Sequence, residues 1–141
     1  MPKKEVKDKA IETAKRNLGR EIAGCRKKMS QRKLAYAVGL SPSNMKYIED
    51  GVNAPSPEIY KKLITVLHPE ERQRKKMDRL YMLIRKTPPP DVCEIMIENE
   101  EINDAVRMIE GKVLTDVQIG NVKALFTSFI TNNDKGVVEN G

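Results

Sequence analysis

Residues 30–53 read SQRKLAYAVGLSPSNMKYIEDGVN, and in this stretch two apolar stripes with helical spacing lie on either side of a glycine. Gly39 stands where the first helix must end, because glycine adopts the left-handed backbone conformation without strain. Ser41 and Pro42 form a start signal for the second helix, since serine accepts hydrogen bonds from free backbone N–H groups and proline suits the first helical position. The pattern predicts two short helices that bury one shared face, which consists of Leu34, Ala35, Val38, Leu40, Met45 and Ile48.

The second of these helices has a polar outer face. Its side chains outside the shared apolar face are Ser43, Asn44, Lys46 and Tyr47. Two short helices joined by a tight turn, with a polar outer face on the second, form a helix-turn-helix, whose second helix can lie in the major groove of DNA. An ordinary helical hairpin has the same outline, so the outline alone does not establish that function.

The rest of the chain has helical periodicity as well, and no segment shows the sustained alternation of a β-strand. The start signal recurs at Ser56 and Pro57. Thr115 and Gln118 have the spacing of a capping box, in which each side chain satisfies a free N–H group of the other residue. We therefore predict an all-α chain of about seven or eight helices, which ends in a C-terminal helical hairpin.

Charge is divided unevenly along the chain. Residues 1–86 hold 22 Lys and Arg against 10 Asp and Glu, whereas residues 87–141 hold 4 against 10. The triproline at residues 88–90 cannot continue a helix, and it coincides with this change. A basic N-terminal part is expected to bind a polyanion, most commonly nucleic acid, and DNA would repel the acidic remainder. We predict four segments: a basic N-terminal extension at 1–16, the DNA-binding domain at 17–86, an acidic dimerisation or interaction region at 87–130 and a flexible tail at 131–141.

The acidic region is expected to associate with another surface. The two amphipathic helices predicted for residues 87–130 bury too little apolar area to be stable alone. Dimerisation is our leading interpretation, because two linked half-site contacts bind DNA more strongly than one. Two alternatives stay open: the helices complete the core of a monomer, or they bind an unidentified partner protein.

Composition argues against several other classes of function. The two cysteines, Cys25 and Cys93, form no CxxC motif and His68 is the single histidine, so a zinc site or a hydrolase triad is not expected. No run approaches the roughly 18 apolar residues of a membrane span, and the charged N-terminus does not have the pattern of a signal peptide. We expect no cofactor, no metal, no catalytic residue and no membrane partner, and a cytoplasmic, nucleoid-associated location in a bacterium or phage.

The positions that carry a family resemblance extend on both sides of the central motif. They are Ser30, Gln31, Leu34, Ala35, Gly39, Leu40, Ser41, Met45, Ile48, Glu49 and Gly51, then Pro55, Ser56, Pro57 and the apolar helix 59–67, with Leu18 and Gly19 in the first helix. On these positions, residues 17–67 resemble the Xre family of helix-turn-helix regulators, the class of the phage repressors and Cro. The resemblance implies a compact five-helix domain that binds operator DNA as a dimer.

The resemblance also implies roles for individual residues. Gln31 would contact a DNA phosphate and brace the second helix, and Arg26 would pair with Glu49 inside the domain. Pro42 stands where many relatives have a polar base-reading residue, and it can contact only apolar groups because it has no donor. The DNA-contacting residues implied are Gln31, Arg32, Ser41, Ser43, Asn44, Lys46, Tyr47 and Asn53. The structural core of the motif is Leu34, Ala35, Val38, Gly39, Leu40, Met45 and Ile48.

Three classes of function remain. We expect a sequence-specific transcriptional regulator that acts as a repressor and binds double-stranded operator DNA as a homodimer. The alternative is an antitoxin-type regulator whose C-terminal helices bind a partner protein. The third class, an enzyme acting on nucleic acid, lacks support, because no acidic residue is paired with a histidine or with a recognisable metal-ligand spacing.

Overall fold

The computed structural model describes the backbone of residues 2–139 and the side chains of residues 5–131. That part of the chain contains eight α-helices and no β-strand, which confirms the all-α prediction. The helices are α1 Pro2–Arg26, α2 Gln31–Val38, α3 Pro42–Glu49, α4 Pro57–Leu67, α5 Glu71–Arg85, α6 Pro90–Glu98, α7 Glu100–Arg107 and α8 Asp116–Glu139.

Polar side chains cap the first turns of several helices. Ser30, Ser41 and Ser56 each accept a hydrogen bond from the backbone N–H three residues later, at 3.0, 3.2 and 3.2 Å. The Gln118 N–H donates to the Thr115 hydroxyl at 3.2 Å, and the Thr115 N–H donates to the Gln118 side chain at 2.9 Å. Because these N–H groups have no partner within their helices, the caps fix where each helix begins.

The first compact unit of the chain extends to Asn99, and helices α1–α5 build its apolar core. Helix α1 packs along α5 and against α3, and α2 packs on α3 and α4. Tyr60 of α4 and Tyr81 of α5 stack with their ring centroids 4.3 Å apart. The remaining core is aliphatic and sulfur-containing, and its most deeply buried members are Leu18, Ile22, Leu34, Met45, Leu63 and Met77.

Helix α1 begins well before the predicted DNA-binding domain. From residue 2 onward the basic extension predicted at 1–16 is helical and continuous with the core part of α1, while Met1 lies outside the described residues. Ala14, within that extension, is buried. No glycine or proline interrupts residues 3–18, so nothing in the sequence ends the helix at the boundary drawn before residue 17.

Helix α6 belongs to the first compact unit, which therefore continues past the triproline. Ion pairs join Lys61 of α4 to Glu94 and Arg74 of α5 to Asp91. The division between compact units lies between Asn99 and Glu100, whereas the sequence places it at 86/87. The difference has a simple cause: prolines separate α5 from α6 but also suit the start of a new helix, so packing resumes after them.

The second compact unit begins at Glu100 and contains α7 and α8. Three helices, α6–α8, therefore replace the hairpin predicted for 87–130, because the chain leaves helical geometry at Asn99 and again after Arg107, in a turn that includes the left-handed Gly111. Helix α8 runs to Glu139, through most of the segment predicted as a flexible tail, where no proline ends it; residues 140–141 lie outside the described part. Among the side chains described in this unit, none is buried.

Candidate nucleic-acid interface

The turn between α2 and α3 is formed by a left-handed glycine. Gly39 has φ 77° and ψ 29°, and its N–H donates to the carbonyl of Tyr36 at 3.2 Å. The Leu40 N–H donates to the carbonyl of Ala35 at 2.8 Å. These two hydrogen bonds satisfy two of the four free carbonyls at the end of α2 and direct the chain into the Ser41 cap of α3.

The apolar faces of α2 and α3 are directed into the core. Ala35 of α2 is fully buried in the core cluster. Leu40 in the turn is half-buried against the same cluster. The other buried members of this face are Leu34, Val38, Met45 and Ile48. Burial of this face fixes which side of α3 remains at the surface.

A buried carboxylate fixes the C-terminal end of α3. Glu49, whose side chain is 4% exposed, accepts two hydrogen bonds of 2.8 Å from the Nε and Nη2 atoms of Arg26. The side-chain amide of Gln31 donates a third, at 3.1 Å, to the same carboxylate. Arg26 also donates to the carbonyl of Met29 at 2.9 Å. One carboxylate thus joins the end of α1, the start of α2 and the end of α3.

Two glycines let α1 pass directly against the end of α3. A Cβ atom at Gly19 would lie 2.3 Å from the carbonyl oxygen of Glu49, which is closer than any non-bonded contact allows. Gly51 has φ 78°, and a Cβ there would lie 2.5 Å from the Cα of Arg16. Both positions therefore require glycine for the close approach of two backbones.

The outer face of α3 is polar and exposed. Ser43, Asn44, Lys46 and Tyr47 all have exposed side chains. The ammonium of Lys46 donates to the carboxylate of Asp50 at 2.6 Å, and this hydrogen bond raises the pKa of Lys46. The face offers hydroxyl, amide and ammonium groups, which are the donor types that contact base edges and phosphates in DNA.

The other residues expected to contact DNA lie around α3. Arg32 on α2 and Asn53 after α3 are exposed. The Ser41 hydroxyl is engaged as the α3 cap, where it accepts the Asn44 N–H. Gln31 is half-buried because its amide is bound to Glu49, so it braces α3 from α2.

One exposed aromatic residue near α3 is missing from the predicted set. Tyr36 is 89% exposed on α2, four residues after Arg32 and so on the same face of the helix. An aromatic side chain outside the apolar stripe of α2 is the signal that could have identified it. The ion pair of Lys46 with Asp50 is also outside that set, and the spacing of four residues between opposite charges is the signal that could have identified it.

A groove of 480 Å³ lies between α4, α5 and α6, and it shares no residue with α2 or α3. Tyr60, Ile64 and His68 contribute to its wall. His68 directly follows α4 as its left-handed C-cap residue, with φ 45°, and its backbone N–H donates to the carbonyl of Ile64 at 3.1 Å.

Comparison with protein families, with curated proteins and with solved structures finds no match to this chain. Within the described residues, no three His, Cys, Asp or Glu side chains are grouped closely enough to hold a metal ion. Between Pro2 and Glu139, no helix has the length and apolar character needed to cross a membrane.

Proposed function

We propose that this protein is a sequence-specific DNA-binding regulator of transcription, with α3 as the helix that enters the major groove. One observation carries the proposal: the Glu49 carboxylate fixes α3 against α1 and α2, while the opposite face of α3 presents exposed donors. A reading helix must be held rigidly and must have free hydrogen-bonding groups, and α3 meets both conditions. The resemblance of residues 17–67 to the Xre family supports the same role.

The charge of the chain supports DNA as the ligand. The excess of Lys and Arg lies in residues 1–86, the part of the sequence that includes α3. Such an excess attracts the phosphate backbone at long range and supplies affinity that does not depend on sequence. Sequence discrimination then falls to Asn44, Lys46 and Tyr47, whose side chains can reach base edges.

Repression by a homodimer is the form of regulation that we propose. A dimer that occupies an operator binds two half-sites at once and blocks other proteins from the same duplex. The antitoxin-type alternative draws its support from the C-terminal part of the sequence, which contains both exposed apolar side chains and an excess of acidic residues. Between residues 91 and 110 the acidic residues are Asp91, Glu94, Glu98, Glu100, Glu101, Asp104 and Glu110. A basic partner protein would suit such acidic residues.

A salt titration with duplex DNA tests the proposal. The logarithm of the affinity should fall linearly with the logarithm of salt concentration, with a slope of about −0.9 for each phosphate neutralised. Lys46→Gln should weaken binding at every salt concentration, whereas Lys112→Gln, an exposed lysine of the second unit, should not. No binding of random-sequence or selected duplexes at low salt would contradict the proposal.

A further inference from the structure

Helix α8 exposes a broad apolar stripe that nothing in its own unit covers. Six of its side chains between positions 119 and 130 are large, apolar and 40–75% exposed: Ile119, Val122, Leu125, Phe126, Phe129 and Ile130. The described helix pairs with substantial packing all lie within the first unit, so α7 and α8 do not cover each other. Exposed apolar area of this extent marks an association surface.

Four positions of the stripe fit the heptad pattern of a coiled coil. Ile119, Val122, Phe126 and Phe129 follow one another at intervals of three, four and three residues, which places them alternately at the a and d positions of a heptad. Leu125 then occupies position g and Ile130 position e, beside the seam. Phe126 and Phe129 already meet edge to face, with ring centroids 5.8 Å apart.

We propose that a second copy of this chain covers the stripe, so that two α8 helices form a parallel two-stranded coiled coil centred on Val122 and Phe126. This inference extends the proposed function, because it identifies the surface through which the DNA-binding homodimer forms.

Charge on α8 favours a copy of the same chain over a charged partner. Between residues 116 and 131 the charged side chains are one acid, Asp116, and one base, Lys123. Because these two charges cancel, two copies of this segment can approach each other without net electrostatic repulsion. A partner selected by opposite charge would instead be attracted to residues 91–110, where most acidic residues of the C-terminal part lie in the sequence.

The positions that flank the seam select the parallel orientation. In a parallel pair, position g of one helix faces position e of the other in the following heptad. This places Leu125 opposite Ile130 of the second copy and Gln118 opposite its Lys123, so both flanking apolar residues between positions 116 and 131 have an apolar neighbour. An antiparallel pair with the same core layers would place Lys123 opposite Lys123 and Ile130 opposite Asp116, which adds repulsion and buries a carboxylate against an aliphatic side chain.

The orientation has a consequence for DNA binding. Each chain enters α8 at Asp116, so a parallel pair brings the two entering chains to the same end of the coiled coil. Both DNA-binding units are then tethered together, and the second α3 binds at a raised effective concentration.

Disulfide trapping in the full-length chain tests the orientation. In a Cys93→Ser background, which leaves only the buried Cys25, Val122→Cys places a thiol at position d, where identical residues meet in a parallel pair. We expect most of the Val122→Cys protein to form a cross-linked dimer on mild oxidation. Ala124→Cys, at the outward-facing position f, is the matched control and should remain uncross-linked. A dimeric Val122→Cys protein that does not cross-link, or equal cross-linking of the control, would overturn the parallel arrangement.

Sedimentation without DNA tests the surface itself. The wild-type chain should sediment at twice the monomer mass, Phe126→Asp should halve that mass, and the exposed Asn121→Asp should leave it unchanged. Circular dichroism checks that the total helical content of Phe126→Asp stays close to that of the wild type. A monomeric wild type, or a dimeric Phe126→Asp, would contradict the inference. Because sedimentation is measured without DNA, a dimer that fails to bind DNA in the salt titration would disprove the proposed DNA-binding function alone. A monomer that binds DNA would disprove the inference and the homodimer, and it would leave the proposed DNA binding standing.

Discussion

Arg26 and Glu49, at the ends of α1 and α3, form a two-pronged ion pair in which both nitrogen–oxygen distances are 2.8 Å. The Arg26 side chain is 21% exposed and that of Glu49 is 4% exposed. A carboxylate so removed from water is stable only while its partners remain. The position of α3, and with it the candidate DNA-reading face, therefore depends on a residue 23 positions earlier in the chain.

Arg26→Ala should destabilise the protein strongly. The substitution leaves Glu49 buried with Gln31 as its remaining side-chain partner, and we expect a loss of about 2–4 kcal/mol in the free energy of unfolding. Lys46→Ala is the control: it breaks the exposed pair between Lys46 and Asp50 and should leave stability nearly unchanged. Urea denaturation followed by circular dichroism measures both. Equal effects of the two substitutions would contradict the structural role of the buried pair.

Local signals in the sequence predicted the part of the fold that depends on neighbouring residues. The Ser41 cap, the left-handed Gly39 and the capping box at Thr115 act within a few residues, and the structure contains each of them. Their geometry requires no knowledge of the tertiary contacts.

Features of the fold that depend on contacts between residues far apart in the sequence could not be predicted from such local signals. The triproline is visible in the sequence, but the pairing of Glu94 with Lys61, which attaches α6 to the first unit, joins residues 33 positions apart. Whether α7 and α8 fold into a hairpin likewise depends on packing between helices, and amphipathic spacing alone does not specify the partner of a face. For the candidate site, the spacing predicted which side of α3 is exposed, whereas the contact of Gln31 with Glu49 required the structure.

Gly19→Ala and Gly24→Ala should have opposite effects, although both lie in α1. A methyl group at Gly19 would overlap the carbonyl oxygen of Glu49, and two backbones would have to separate, so we expect a loss of about 3 kcal/mol. At Gly24 a methyl group meets no atom within 4 Å, and alanine should stabilise the helix by about 0.5–1 kcal/mol. Thermal unfolding of the two variants provides the comparison. A stable Gly19→Ala protein would show that α1 does not pass α3 at this distance.

The stacked tyrosines should respond differently to loss of their hydroxyl groups. The Tyr60 hydroxyl donates to Asp78 at 2.7 Å, so Tyr60→Phe should cost about 1–2 kcal/mol. The Tyr81 hydroxyl is buried and finds no hydrogen-bond partner among the described protein groups, so Tyr81→Phe should leave the free energy of unfolding unchanged or slightly higher. Urea denaturation at neutral pH distinguishes the two. A larger cost for Tyr81→Phe would contradict this assignment.

The free energy of unfolding should fall in alkaline solution because of the two stacked tyrosines, Tyr60 and Tyr81. Burial, and then the hydrogen bond to Asp78, raises the pKa of Tyr60 above its ordinary value, and burial also raises the pKa of Tyr81. The folded state therefore keeps protons that the unfolded chain loses, so the free energy of unfolding decreases as the pH rises above about 10. Tyr60→Phe should reduce this decrease, which unfolding curves at about pH 8 and about pH 11 would measure. If the free energy of unfolding decreases equally in the wild type and in Tyr60→Phe, the decrease arises from other groups.

Substitutions at Asn44 and Gln31 separate the reading of bases from the positioning of α3. Asn44 is exposed on the outer face of α3, and its amide can form a two-point contact with an adenine edge. Asn44→Ala should therefore weaken binding to a duplex selected from a random library by about 1–3 kcal/mol. Binding to random DNA should stay nearly unaffected. Gln31 contacts Glu49 and so helps to position α3. Gln31→Ala should weaken binding to both duplexes to a similar degree, because contacts that position the protein carry no sequence information. Both variants must be compared at one salt concentration, since nonspecific affinity changes steeply with salt. Equal losses on the two duplexes for Asn44→Ala would mean that α3 binds DNA without reading it through this residue, and that discrimination arises from the neighbouring donors or from the shape of the duplex.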